Sequence, residues 1–366
     1  MWQQRIEKLR VREFKAFADA EVELRPLNVL IGPNGAGKSA LLSLLRMLRS
    51  LSLGELGLFV GKAGGADDVL RRATPPTTGM QVECDLLTVT GRSYYALNAE
   101  RTQTNTLLVA GERIERFEPD GAPRGSEIHA EPRTESALGD PTRWAGEHKL
   151  FAQFRKFHFA QTPTTLAGLH ECDADDNNEL REDGGNLAAV LHLLEQRHPS
   201  VFRRIVASVR HVFGEFQGFS LQRSPMNPSR IRMRWRRRGV EGDVGMHQLS
   251  DGTLRFMLLA TLLQQPGELL PPLLAIDEPE LGLHPAALQI MANFLKLASQ
   301  RAQLFVATQS SVLVDAFEPE DVVVVDRRDA ASTLRRPDSV ELKEWLEAYT
   351  LGELWEKNVI GGGPFG

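Results

Sequence analysis

Between residues 80 and 118, apolar and polar side chains alternate in three successive stretches: MQVECDLLTVT, RSYYALNAER and LLVAGERIERF. A period of two turns one face of each stretch toward a core, so the pattern predicts an antiparallel meander. Strands are also predicted over residues 5–31, where EVEL alternates and PLNVLIG is a short apolar run ending at glycine. Past GPNGAGKS the period changes. Leu41, Leu42, Leu44, Leu45 and Leu48 fall at helical spacing, giving strand, glycine-rich turn, helix.

The later chain alternates helical and strand patterns. Helices are predicted over 185–213, with stripes Leu187–Leu194 and Val201–Val212, over 250–264 and over 285–300. Strand patterns are FRKFHFAQ (154–161), SRIRMRWRRRG, LLAID, QLFVATQ and DVVVVD, the last read as the final strand. Such alternation predicts an α/β fold with a mostly parallel, covered sheet. Residues 54–79 read as loops around one short helix. Residues 119–147 are rich in Pro, Gly and charge and read as a flexible connection or exposed excursion. The expected organisation is a first lobe over 1–120, the excursion over 121–147 and a second lobe over 148–366. The end, GGGPFG, is expected to be mobile.

Composition narrows the classes. The 366 residues are 42% hydrophobic and 25% charged, enough for a sizeable core in one large domain or two lobes. Two cysteines, Cys84 and Cys172, sit outside any CxxC pair, which argues for a reducing compartment without a disulfide framework. The start, MWQQRIEKLRVREF, has no apolar core of a signal peptide, and no apolar run reaches membrane-spanning length. The expected location is the cytoplasm. A net charge of −5 does not announce a nucleic-acid binder, although a local basic patch would suffice.

The segment GPNGAGKS (32–39) satisfies G-x-x-x-x-G-K-[ST] between a predicted strand and a predicted helix. In that context the backbone N–H groups over Asn34, Gly35, Ala36, Gly37, Lys38, Ser39 and Ala40 can wrap a phosphate at a helix N-terminus. Lys38 would reach the β- and γ-phosphates and Ser39 would hold Mg²⁺. The bland alternative is a glycine-rich turn with a surface lysine. AIDEPE (275–280) places Asp277 and Glu278 together at the end of an apolar strand. Adjacent like charges there call for a cation. Asp277 would hold Mg²⁺, and Glu278, facing the other way in an extended chain, would polarise the attacking water. Glu278 as a simple strand end is the alternative. QLSDGTLR (248–255) starts a helix at Ser250 and Gly252, a second anion-binding helix start.

Gly32–Ser39, Leu249–Arg255 and Ile276–Glu278 resemble the Walker A, signature and Walker B elements of the ABC ATPase superfamily. The opening LRVREFKAFADAEVELRPLNVLIGPNGAGKSALL is similar to heads of the SMC, RecF and OLD-like branch. GGNLAAVLHLLEQRHPSVFRRI, DEPELGLHP and LGELWEKNVIGGGP look like stand-alone RecF-like ATPases of bacteria. The resemblance spans most of the chain and implies a P-loop NTPase, an ABC ATPase head with a helical insertion. It implies ATP and Mg²⁺ as ligands, hydrolysis at Glu278, and a head-to-head homodimer in which the signature, with Ser250 and Gly252, meets the partner's nucleotide. It also implies a role on DNA, or over an operon-encoded effector protein, in repair or anti-phage defence. Lys38 and Ser250 lie 212 residues apart, long for a transporter subunit.

Two departures stand out. The signature reads Ser-Asp-Gly, so Asp251 should point away from any phosphate. In FVATQSS (305–311) Gln309 stands where the superfamily usually has His. An amide donates a hydrogen bond but carries no titratable charge, which implies slow hydrolysis or a nucleotide-dependent scaffold. By position Gln161 matches the loop glutamine that senses Mg²⁺ and water, or is a solvated amide. His284 and Pro285 match the segment that crosses the dimer interface, or start a helix. Lys15 or Phe17 is placed against the adenine. Finally, in RIRMRWRRR (230–238), Arg230, Arg232, Arg234 and Arg236 share one strand face, and Ile231, Met233 and Trp235 the other. That cationic face suits DNA phosphates, or pairs with the acidic stretch at 171–185.

Overall fold

The computed structural model describes residues 4–159 and 171–363. The chain forms two compact units. Unit 1 comprises Met1–Arg155, Pro272–Ala275 and Ala302–Gly366; unit 2 comprises Lys156–Pro271 and Ile276–Arg301.

Unit 1 holds the meander. Strands β1 (Arg5–Phe14), β2 (Phe17–Glu23), β4 (Gly79–Thr88), β5 (Gly91–Arg101), β6 (Leu107–Phe117) and β7 (Pro123–His129) form an antiparallel sheet in the order β2-β1-β4-β5-β6-β7. The alternation in sequence becomes alternation in burial. Met80, Val82, Cys84 and Leu86 of β4 and Tyr95, Leu97 and Ala99 of β5 are all buried.

The second sheet of this unit is built around β3 (Leu27–Ile31), buried throughout. Its parallel neighbours are β14 (Gln303–Ala307) and β15 (Val322–Arg328). An antiparallel edge strand, β16 (Ala331–Arg335), follows a turn in which Asp329 and Ala330 both have positive φ. The strand order is β16-β15-β3-β14-β13-β8, in which β13 (Leu273–Asp277) belongs to unit 1 over Leu273–Ala275 and β8 (Arg155–Phe157) only at Arg155. Helix Lys38–Ser52 buries Leu41, Leu42, Leu44, Leu45 and Leu48, as its spacing predicts.

Several expectations are corrected. Residues 302–366 fold with unit 1, not with a second lobe, because β14 and β15 form their ladders on β3. Residues 121–147 are exposed over most of 121–135, as expected, but they are not an unstructured excursion, and their later part enters the core. They supply β7 and a fully buried Trp144, and Ser136 and the Ala137 amide donate to the buried Glu112 carboxylate, which also accepts from Tyr95. Residues 54–79 contain two helices, Leu56–Ala63 and Ala66–Val69, not one. DVVVVD is not the last strand, since β16 follows it. The strand in FRKFHFAQ is confined to Arg155–Phe157, and Gln161 lies outside the described residues.

Unit 2 is the helical insertion. Helices Leu187–Arg197, Pro199–Val212, Asp251–Gln264 and Pro285–Ser299 accompany a small sheet. Its central strand β11 (Arg230–Arg237) pairs with β10 (Phe216–Arg223), β12 (Asp243–Gly245) and β9 (Glu171–Asp173).

Candidate functional site

In unit 1, β3 leads into the loop Gly32–Ser39, and three of its glycines have positive φ: Gly32 at 150°, Gly35 at 78° and Gly37 at 116°. Two of them also answer to space. A Cβ on Gly32 would sit 2.0 Å from the Val325 carbonyl oxygen, and one on Gly37 would sit 2.7 Å from Ser332 Oγ. Ala36 is buried and its amide donates to Pro33 O at 3.2 Å, closing the turn. Asn34, Gly35 and Ser39 are exposed. Gly37 caps the following helix without a side-chain bond, and no acidic residue occupies the first turn. The orphan N–H groups there and the helix dipole favour an anion. Lys38 Nζ donates to the carbonyls of Gly32 and, at 3.1 Å, Pro33, so its ammonium spans its own loop.

Gln309 is exposed just past β14. β14 runs parallel to β3, with Ala307 opposite Leu30, and the Thr308 amide donates to Leu30 O at 3.1 Å. Gln309 and the glycine loop therefore leave the same edge of one sheet. Lys15 occupies the β1–β2 turn at φ 47°, its amide donating to Val69 O at 3.0 Å. Burial lowers its pKa; Asp68 opposes the shift and Arg46 adds to it. Phe17 is fully buried in the core, which removes it as an adenine contact.

In unit 2, Asp277 already has a cation: Lys156 Nζ lies 2.7 Å from Oδ2. Both groups are mostly buried, with side-chain exposures of 19% for Lys156 and 14% for Asp277. His158 Nδ1 lies 3.2 Å from the Asp277 carbonyl. Lys156 and His158 escaped the sequence reading. The available signal was alternation in KFH, which puts both on one face of the strand pattern.

Glu278 is not extended, contrary to expectation. It follows the strand end with φ 52°, a left-handed conformation disfavoured for a side chain that precedes proline. Such strain, of order 1–3 kcal/mol, is typical of functional positions. Tight turns after it, with Leu281 N donating to Glu278 O and Leu283 N to Glu280 O, hold the loop.

Ser250 caps helix Asp251–Gln264 by accepting from Thr253 N at 3.2 Å, and Asp251 is exposed in the first turn. Gly252 has a packing reason: a Cβ there would meet Gly282 O at 2.0 Å. Arg255, which ends the Leu249–Arg255 segment and was given no role of its own, donates to Phe159 O at 2.8 Å and Leu281 O at 3.0 Å, tying helix Asp251–Gln264 to the loop after Glu278. His284 caps helix Pro285–Ser299 by accepting from Ala286 N, with Pro285 in the first turn.

The arginine face of β11 is exposed and its apolar face buried, as alternation requires. The acidic partner is present too. Glu171 of β9 pairs with Arg230 at 3.1 Å and Arg232 at 3.4 Å. Arg234 donates to Asp243 O and Arg236 to Phe219 O.

A family model described as "AAA domain, putative AbiEii toxin, Type IV TA system" matches residues 129–315, just over half of the chain. The chain belongs to this AAA-domain family. A second model, described as AAA ATPase domain, matches residues 5–78, which include the glycine loop. No curated protein matches. Among solved structures, this AAA-domain chain is similar to an SMC head bound to the C-terminal winged-helix domain of ScpA, with 15% identity, a TM-score of 0.58, and 92% of this chain and 99% of that one covered. An SMC head with an extended coiled coil from Pyrococcus furiosus, bound to the C-terminal domain of ScpA, gives 16%, 0.53, 94% and 99%. The SMC head domain from Thermotoga maritima gives 15%, 0.50, 91% and 99%. The fold is thus that of SMC head domains, and the family models describe AAA domains, the second of them an AAA ATPase domain.

Proposed function

We propose that this protein is an ATP-driven switch: it binds Mg²⁺-ATP, pairs head to head with a second copy, and hydrolyses ATP to ADP and phosphate to release the pair. The observation that carries the reading is the loop Gly32–Ser39, whose positive-φ glycines lead into an uncapped helix start beside a lysine. Backbone N–H groups over Asn34–Ala40 receive phosphate oxygens, and Lys38 leaves its loop carbonyls to neutralise them. In the partner copy's site, Ser250 and Gly252 close on the γ-phosphate.

Each residue by itself has the donor chemistry Mg²⁺ takes: the Asp277 carboxylate, which already accepts the Lys156 ammonium at 2.7 Å, and the exposed Ser39 hydroxyl are hard oxygen ligands, and both would hold the ion in the proposed complex. Bound there, Mg²⁺ would offset charge on the β- and γ-phosphates. Glu278 accepts a proton from water as that oxygen attacks the γ-phosphorus and the bond to the bridging oxygen breaks. Gln309 donates a hydrogen bond to a γ-phosphate oxygen without supplying charge, which supports slow turnover. What the switch controls is DNA or a partner effector in repair or defence; Gln309 also favours a second reading, a near-inactive scaffold that holds its effector.

Light scattering of the purified chain tests the pairing. Glu278→Gln with Mg²⁺-ATP should elute at twice the monomer mass and return to monomer with ADP. A constant mass across ATP, ADP and no nucleotide would remove the sandwich from the proposal.

Lys156 gives a second test. An internal ammonium must yield before a metal ion can reach Asp277. Lys156→Met is expected to tighten metal binding by about three- to tenfold, equivalent to roughly 0.7–1.4 kcal/mol. Mn²⁺ titration followed by electron paramagnetic resonance reads this without turnover. Unchanged or weaker binding in Lys156→Met would mean that the pair serves folding instead.

A further inference from the structure

Most cations of unit 1 near the β1–β2 turn have a carboxylate. Arg71 lies 3.7 Å from Glu13, Arg72 lies 2.5 Å from Asp68, and Arg101 lies 2.7 Å from Asp67. Beside them is a groove of about 270 Å³. Lys15, Arg46, Arg49 and Lys62 line it, with Glu55 as its one acidic residue. Among the described residues, Lys15, Arg46 and Lys62 form no ion pair. Lys15 is half-buried, and the Arg46 charge acts against its own. Arg46 and Lys62 are exposed beside it, and like charges brought together in one groove favour the entry of an anion.

The frame of the groove is firm. Arg46, Arg49 and the hydroxyls of Ser43 and Ser50 project from helix Lys38–Ser52, whose other face is buried core. Lys62 comes from helix Leu56–Ala63, anchored because the amides of Leu56 and Gly57 donate to Glu135. The backbone of Lys15 is fixed to Val69. Guanidinium, ammonium and hydroxyl donors set around an open groove match phosphate oxygens, which accept from several directions.

We infer that this groove binds backbone phosphates of nucleic acid, with Arg46 and Lys62 as the principal contacts. The inference rests on the proposed function only for the class of partner, and it moves the contact away from β11, where Glu171 already engages Arg230 and Arg232. A groove of this size takes one or two phosphates, so it positions a strand and reads no sequence.

The test uses the full-length protein and fluorescein-labelled duplex DNA, with binding followed by anisotropy across a salt series. Wild type, Arg46→Glu/Lys62→Glu and Arg234→Glu/Arg236→Glu are compared after thermal melts verify folding. TNP-ATP binding is measured in parallel. The groove variant is expected to lose at least tenfold in DNA affinity, and its slope of log K against log salt should fall by about 2. The β11 variant should lose less than the groove variant. Equal DNA affinity and slope in wild type and groove variant would overturn the inference, as would a wild type that binds no DNA. If TNP-ATP binding falls and DNA binding does not, the groove serves the nucleotide's own phosphates and the inference is wrong. Loss of TNP-ATP binding in every protein, wild type included, would instead count against the ATPase reading.

Discussion

Glu278→Gln is expected to lower ATP turnover by at least about 10²-fold while ATP binding persists. The substitution keeps volume and removes the only capacity the proposal asks of this side chain, accepting a proton from water. Its backbone is already held at φ 52° between the end of β13 and Pro279, so the amide takes over the same conformation. A general base contributes roughly 10²–10⁴-fold, which sets the size of the loss. The measurement is phosphate release under single turnover beside TNP-ATP binding. If the Gln variant turns over within about threefold of wild type, Glu278 is a strained strand end and the base must be sought elsewhere. If wild type itself shows no turnover, the scaffold reading gains, and the pairing measurement becomes the decisive one.

Lys38→Ala should weaken ATP binding by about 10²-fold. The ammonium is confined to the glycine loop by the carbonyls of Gly32 and Pro33, and the helix behind it carries no acidic residue in its first turn. A charge-assisted contact to phosphate contributes roughly 2–3 kcal/mol, about 30- to 150-fold in affinity. Calorimetric titration with a non-hydrolysable ATP analogue gives the number directly. Adenosine, which lacks phosphates, should bind wild type and variant alike. An analogue affinity unchanged by Lys38→Ala would remove the loop as the phosphate site. A loss shared equally by adenosine would point to a damaged fold.

Much of the fold was legible because it is periodic. The meander and the helix after Lys38 follow from repeats of two and of 3.6 residues, and each turns one side chain after another toward a core. The buried strands LNVLI and LLAID could be read as strands from their length and flanking residues. The burial of Ser136–Leu138 and Trp144 within 121–147 was not legible. Its polar composition conceals Trp144, and the buried Glu112 that anchors Ser136 and Ala137 is distant in sequence. β16 was missed because ASTLR is short and weakly apolar, and its place depends on a turn of two positive-φ residues. Within the site, motif residues could be named from spacing alone, while the partners of Lys156, His158 and Arg255 could not. Each is ordinary in composition and acquires meaning only from what it touches.

Sequence by itself determined the local pattern: a glycine-rich turn at Gly32–Ser39 between strand and helix, a strand ending in two acids, a helix start at Ser250, and a strand with arginines on one face. These depend on residues within a few positions of one another, where chain geometry leaves few choices. Tertiary structure alone decided which cation meets Asp277, which acid meets Arg230, why Gly252 admits no side chain, and why residues 302–366 return to unit 1. Those are contacts between segments tens to hundreds of residues apart, set by strand pairing and close packing, and no local pattern encodes them.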